Sequence, residues 1–157
     1  MNLPEAKKIN AQKYEAGLSL FKKVVIKIKL SANESALGPS PRAIREYKNT
    51  SRSIKRYPEQ ESFLLESLLA KKFKLDAKRI ILGSGSDQIF ELICRAFLKK
   101  NDEVIVPQYS FLIYRIYSKI CGAKVIFAKE KNFKISIGNI ISKVTKKTKI
   151  IFLANPN

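Results

Sequence analysis

The stretch Leu82-Gly83-Ser84-Gly85-Ser86-Asp87-Gln88 joins a short apolar run to an apolar stripe at helical spacing. Glycines let a backbone turn tightly and let a ligand approach it closely. The first amides of a helix have no acceptor within it, and the helix dipole favours an anion beside them. A phosphate is the natural guest of such a loop. Ser84 and Asp87 have the spacing of a capping box. The loop is not the dinucleotide fingerprint GxGxxG, because Gln88 stands at the third glycine position, and it is not a Walker loop, because no Gly-Lys-Ser/Thr follows. Taken alone, Gly and Ser in this order describe a plain structural turn more often than a site. A second segment, Pro107-Gln108-Tyr109-Ser110-Phe111-Leu112-Ile113-Tyr114, sets aromatic side chains just after another apolar run. A ring there can stack on a planar ligand. It can equally turn inward as the start of an amphipathic helix.

Other chemistries are closed by composition. The chain has no histidine, so imidazole bases, His-based triads and HExxH zinc sites are excluded. Cys94 and Cys121 are isolated, with no CxxC spacing, and read as reduced thiols in or near the core rather than as a disulfide or a metal site. No metal ligands are expected.

The elements that must position these loops follow from pattern. Residues 4–16 read as a leading helix with Pro4 near its start. Val24–Leu30 reads as a strand or extended segment. Residues 31–39 form a loop by their Ser, Asn, Gly and Pro content, and Ser40-Pro41 opens a helix that runs to about Tyr47. Tyr57 precedes Pro58 and so is pushed into an extended loop conformation. Glu59 and Glu61 suit the first turn of the next helix, whose stripe is Leu65, Leu68, Leu69 and Phe73. From Arg79 onward the pattern alternates. Ile80–Leu82 reads as a strand, and Ile89, Leu92, Ile93, Ala96 and Phe97 as a helical stripe. Strands are expected at Glu103–Pro107, Lys124–Ala128 and Lys149–Leu153, with helices at Phe111–Cys121, ending at Gly122, and at residues 138–144. This alternation predicts an α/β architecture with a largely parallel sheet.

A length of 157 residues suits one domain with a real core. Hydrophobic content of 45% and charged content of 28% fit a soluble globular chain. No apolar run is long enough to span a bilayer, and the polar N-terminus lacks the pattern of a signal peptide, so the cytoplasm is the expected location. The net charge of +18 raises the question of nucleic acid or an anionic membrane. Lysine greatly outnumbers arginine and is spread along the chain, which reads as compositional drift, and neither partner is expected.

Taken in order, these motifs resemble the N-terminal part of the fold-type-I pyridoxal-phosphate aminotransferases, and within them the histidinol-phosphate aminotransferase group. Leu30-Ser31-Ala32-Asn33-Glu34 and Leu37-Gly38-Pro39-Ser40-Pro41 are similar to the group's N-terminal signature, and Arg56-Tyr57-Pro58-Glu59 to its RYP element. Gly85-Ser86-Asp87 is similar to its G-[AS]-D phosphate loop, Tyr109–Tyr114 to its aromatic segment, and Asn155-Pro156-Asn157 to the opening of its P-N-N-P-T-G turn. The resemblance covers residues 24–157. It implies the α/β fold of aspartate aminotransferase-like enzymes, with residues 1–50 as an N-terminal arm and the start of the small-domain segment, and residues 51–157 as the first part of the large cofactor domain.

The resemblance also implies roles. The amides of Ser86 and Asp87 would hold the cofactor phosphate, Phe111 would stack on the pyridine ring, and Tyr57 would reach the phosphate of a partner subunit's cofactor in a homodimer. Asn33 and Gly38 would lie near the substrate entrance. Gln88 stands where the family often has Glu. The implied reaction is amino-group transfer between L-histidinol phosphate and 2-oxoglutarate or glutamate, in amino-acid biosynthesis. Family members are more than twice as long. The lysine that anchors the cofactor, the acid at its pyridine nitrogen and the arginine for the substrate carboxylate are expected beyond Asn157, so no catalytic residue is assigned here. The expectation is a piece inactive by itself that works with a complementing C-terminal piece. The alternatives are a non-catalytic binding or assembly module and, less favoured, a fragment of a related amino-acid aminotransferase or phosphothreonine decarboxylase, or a basic nucleic-acid binder.

Overall fold

The computed structural model describes residues 9–10, 20–21, 24–25, 28, 34–57 and 63–155. Backbone contacts divide the chain into two units, one of residues 15–80 and one of residues 1–14 with 81–157.

In the first unit, β1 (Leu20–Phe21) pairs antiparallel with β2 (Val24–Val25). The strand expected over Val24–Leu30 is therefore present at its first two residues. Ile28 is not in a strand, and the remaining positions lie outside the described residues. Helix α1 (Pro41–Thr50) begins as its sequence requires. Ser40 is extended at φ −63° and ψ 149°, its Oγ accepts the Ala43 amide at 3.2 Å, and Pro41 fills the first helical position, where no amide hydrogen is needed. The helix continues past the expected end at Tyr47 into a 3-10 turn at Ser51–Ser53. Helix α2 (Phe63–Phe73) carries the expected leucine stripe, and a 3-10 turn at Ala77–Arg79 follows, capped by Asp76. Glu59 and Glu61 lie outside the described residues.

The second unit is a layered α/β structure. After α3 (Gly85–Phe97) come β3 (Glu103–Pro107), α4 (Leu112–Ile120), β4 (Lys124–Ala128), α5 (Ile137–Ile141) and β5 (Thr148–Ile151). The three strands form a parallel sheet in the order β4-β3-β5. Val104 lies level with Val125 on one side and Ile150 on the other, with an irregularity between Glu103 and Val104 on the β5 side. Side chains of a strand alternate between faces. Val104 and Val106 accordingly enter one core with Cys94, Leu98, Tyr114, Ala123 and Phe152, while Ile105 enters a second core with Ala128 and Ile140. A central parallel strand covered on both faces reads as a continuous apolar run, and Val-Ile-Val is that run.

Two expectations are corrected here. Ile80–Leu82 is not a strand. Ile80 is extended at φ −104° and ψ 129°, but no described strand pairs with it, and Ile81 is 74% exposed. A strand exists only as part of a ladder, so β-prone residues without a neighbour remain an extended connection. The helix expected over residues 4–16 is not continuous, because Ile9 and Asn10 are not helical; its other residues lie outside those described. Lys119 Nζ donates to the Asn10 carbonyl at 3.2 Å, beside the loops that lead into β3 and β4.

Candidate functional site

The loop before α3 is set by its two glycines and by Gln88. Gly85 opens the helix at φ +79°, a left-handed conformation that favours glycine, and nothing lies within 4 Å of where its Cβ would stand. Gly83 is needed for space instead. A Cβ there would meet Ile89 Cδ1 at 2.9 Å and Gln88 Oε1 at 3.1 Å. The expected capping box of Ser84 and Asp87 does not form. The Ser84 side chain caps nothing, and it is Gln88 Oε1 that reaches back to accept the Ser84 amide. The reach-back works from one position later because Gly85, at positive φ, turns the chain into the helix after Ser84.

Donors can now be counted along the loop. The Ser84 amide is taken by Gln88, and the Gly85 amide donates to the Gly83 carbonyl at 2.9 Å. The amides of Ser86 and Asp87 donate to no acceptor among the described residues. They sit at the positive end of a helix of 13 residues, with Ser86 exposed and Asp87 half-buried. These are the two residues that the sequence motif marks.

Phe111 stands at the N-cap position of α4, half-buried, with its ring edge-on to Tyr114 at 5.8 Å and 89°. The loop leading to it is braced by Ser110, whose Oγ donates to the Pro107 carbonyl at 2.8 Å, and by the Gln108 amide, which donates to the Ala128 carbonyl at 3.1 Å. Tyr114 stacks flat on Phe152 at 4.6 Å and 3°, and Phe90 closes the group edge-on to both, at 4.8 Å from Tyr114 and 5.8 Å from Phe152. Edge-to-face and stacked pairs of this kind add to the burial of their rings. Phe90 lies one helical turn after Ser86, and Phe152 just past the end of β5. The four rings thus fasten the first turn of α3 and the loop after β3 to the chain that leads to Asn155, and Phe111 and Ala154 pack on the same core. The aromatic alternative of inward packing is met by Tyr114, which is buried, whereas Phe111 is half-buried. Sequence reasoning missed Phe90 and Phe152 as positioning residues. Their signal was faint: each is one apolar residue within an apolar stripe or run.

Ser86, Asp87, Phe111 and Asn155 all belong to the second unit and lie at or near strand carboxyl ends or the loop before α3. Tyr57 and Gly38 belong to the first unit. Tyr57 is fully exposed in the loop after the Ser51–Ser53 turn, where the Arg56 amide donates to the Ser53 carbonyl at 2.9 Å. Gly38 is exposed at φ +66°, with its amide bonded to the Ser35 carbonyl at 3.2 Å. Asn33, Pro58 and Pro156-Asn157 lie outside the described residues.

Burial pushes the Cys94 thiol up to about 11; the Ser118 hydroxyl beside it opposes the shift, and Cys121 adds a little to it. Cys94 is fully buried and Cys121 partly buried, both as free thiols. Burial also raises the Tyr114 hydroxyl above its ordinary range. Neither group is poised to exchange protons near neutral pH. Among the described residues there is no cluster of three or more side chains able to hold a metal, and no helix is long and apolar enough to cross a membrane. What the site offers is two amides with no acceptor among the described residues on a helix N-terminus, the uncrowded Gly85 beside them, and a half-buried aromatic ring fastened to the same frame. That donor set fits a phosphorylated planar ring.

Known proteins are similar to this chain over most of its length. The family described as aminotransferase class I and II matches residues 25–157. The histidinol-phosphate aminotransferase of Pelagibacter ubique is 55% identical over 157 residues, which is all of this chain and 44% of that protein. The one from Paramagnetospirillum magneticum is 40% identical over 144 residues, 92% of this chain and 40% of that protein. The chain thus spans less than half the length of these relatives. Among solved structures, histidinol-phosphate aminotransferase from Sinorhizobium meliloti in complex with pyridoxal-5'-phosphate superposes with a TM-score of 0.76 at 20% identity, over 80% of this chain and 34% of that one. A Thermus thermophilus aspartate aminotransferase variant gives a TM-score of 0.72 at 20% identity, over 80% of this chain and 38% of that one. At these identities the superpositions show the fold: this chain folds as part of an aminotransferase α/β domain.

Proposed function

The chain belongs to the class I and II aminotransferases, and on that premise we propose that it is the N-terminal portion of a pyridoxal-phosphate-dependent histidinol-phosphate aminotransferase. The observation that carries the cofactor reading is the pair of open amides at Ser86 and Asp87 on the first turn of α3. The choice of substrate rests on the 55% identity to the Pelagibacter enzyme. The amino donor and acceptor would be L-histidinol phosphate and 2-oxoglutarate, or glutamate in reverse.

Each residue has a defined task in this reading. Ser86 and Asp87 bind the phosphate through charge-assisted amide hydrogen bonds, about twice as strong as neutral ones. The dipole of α3 adds to their attraction. Phe111, half-buried and held by the Tyr114–Phe152–Phe90 frame, would serve as one wall for the pyridine ring. Tyr57 donates its hydroxyl to the cofactor phosphate held by a partner subunit, and Asn33 and Gly38 border the substrate entrance. When bound, the cofactor supplies the electron sink for moving an amino group between carbon skeletons. Residues 1–50 serve as the arm and the start of the small-domain segment, and residues 51–157 open the large cofactor domain. The chain contributes grip and wall. The lysine that anchors the cofactor, the acid at its ring nitrogen and the arginine for the substrate carboxylate would belong to the part of the enzyme C-terminal to this span.

The test is to mix the chain with the C-terminal portion of the Pelagibacter relative, taken from where the match ends, and to add pyridoxal phosphate. Bound-cofactor absorbance and glutamate-dependent transamination in the mixture, with neither part active alone, is the expected result. Stable association without absorbance or activity would instead support a non-catalytic assembly module.

A further inference from the structure

Gln88 is exposed, yet its side chain folds back onto the loop rather than into solvent. Its Oε1 accepts the Ser84 amide and lies 3.1 Å from where a Cβ on Gly83 would stand. With the Gly85 amide bonded to Gly83, this single contact decides which donors of the loop remain open. We propose that Gln88 is a positioning residue of the phosphate loop: it withdraws the Ser84 amide and pins the Gly83–Ser84 turn, so that Ser86 and Asp87 alone receive the anion. The inference rests on reading this loop as the phosphate grip.

The physical reason is the freedom of the two glycines. A Gly-Ser-Gly turn has many accessible conformations, and an untied one must be ordered by the ligand at the expense of affinity. An acceptor anchored on the first turn of α3 removes that cost beforehand. A carboxylate at position 88 retains the acceptor, whereas a thioether of the same length does not. Space is tight at Gly83, where a Cβ would press on the tips of the Ile89 and Gln88 side chains.

The experiment compares the full chain with Gln88→Met and Gln88→Glu. It reads Ser84 amide exchange by NMR and then titrates inorganic phosphate. In the parent and in Gln88→Glu, Ser84 should exchange slowly, and phosphate should shift Ser86 and Asp87 but not Ser84. In Gln88→Met, Ser84 exchange should rise roughly fivefold or more, the net worth of one hydrogen bond. Phosphate should then bind several-fold more weakly and shift Ser84 as well. Equal Ser84 exchange in the parent and Gln88→Met, or a Ser84 shift with phosphate in the parent, overturns the proposal. Should Gln88→Met fail to fold, Gln88→Ala, which removes the acceptor altogether, must raise Ser84 exchange, and unchanged exchange there overturns it too. If Ser84 responds as expected while phosphate moves no loop amide, the phosphate reading falls, and Gln88's role toward it falls as well. The Gln88–Ser84 bond alone then survives, so the two failures are distinguishable.

Discussion

The two units place their apolar residues differently. In residues 81–155, β3 buries Val104, Ile105 and Val106 completely, and helices cover both faces of the sheet. In residues 34–57 and 63–80, neither α1 nor α2 buries a residue, and Leu64, Leu65 and Leu68 are each more than half exposed. Both regions have helices with apolar stripes at the right spacing. The difference is that a parallel strand with helices on both sides closes a core by itself, whereas a lone amphipathic helix only offers one half of an interface. The candidate cofactor grip sits on the unit with the buried sheet core. Tyr57 and Gly38, for which the partner-facing and substrate-facing roles are proposed, sit on the unit in which no described residue is buried.

The strongest way to break this comparison is to truncate one apolar side chain in each unit. Ile105→Ala should destabilise the fold by about 2–5 kcal/mol, the range for emptying a buried aliphatic site. Leu68→Ala should change it by no more than about 0.5 kcal/mol, as for an exposed position. Urea unfolding of both variants decides the matter. A Leu68→Ala cost approaching that of Ile105→Ala would mean the α2 stripe is covered in solution.

Alkaline pH sharpens the comparison from the buried side. The Cys94 thiol rises from 9.0 to about 11 in the folded chain, so between those values the unfolded chain has lost this proton while the folded chain still holds it. Stability from this group is therefore intact below about pH 9 and declines as pH climbs towards 11. The loss reaches roughly 2–3 kcal/mol by the upper end, since each unit is about 1.4 kcal/mol. The lysines titrate over the same range, so the readout is the difference between the parent and Cys94→Ala, whose stability curve should lack this component. Identical pH slopes would contradict the buried placement of Cys94.

The smallest effect belongs to the unit of residues 15–80. Ser40→Ala removes the Oγ that accepts the Ala43 amide and should cost about 1 kcal/mol of local helix stability. Faster amide exchange confined to the first turn of α1, with no change at Val104–Val106, is the expected pattern. Propagation into the sheet would show that the two units unfold together.

Much of the sheet unit was legible in its residues. Glu103–Pro107 and Lys124–Ala128 are strands with the expected bounds, because each is an apolar run closed by turn residues and each has a neighbour to pair with. Ile80–Leu82 has the same composition and no described neighbour, and strand pairing is a property of two segments that one segment cannot reveal. Helices α4 and α5 were placed to within one to three residues at each end, where backbone bonds fray into turns. The candidate phosphate loop was read from its glycines and its motif. Its actual tie was not: Ser84-x-x-Asp87 has the local spacing of a capping box, but the positive φ of Gly85 hands that task to Gln88. Bringing Phe111 onto the same frame as Ser86 depends on Phe90, Tyr114 and Phe152 meeting from three separate elements, which spacing along the chain does not encode.

The central claim is that the Ser86 and Asp87 amides form the phosphate grip. Its most direct test is an amide NMR titration with pyridoxine 5'-phosphate, which lacks the aldehyde that would react with surface lysines, set against pyridoxine. The account predicts saturable shifts at Ser86 and Asp87, with smaller ones around Phe111, for the phosphorylated compound only. Shifts spread over the lysine-rich surface with Ser86 and Asp87 unmoved would contradict it.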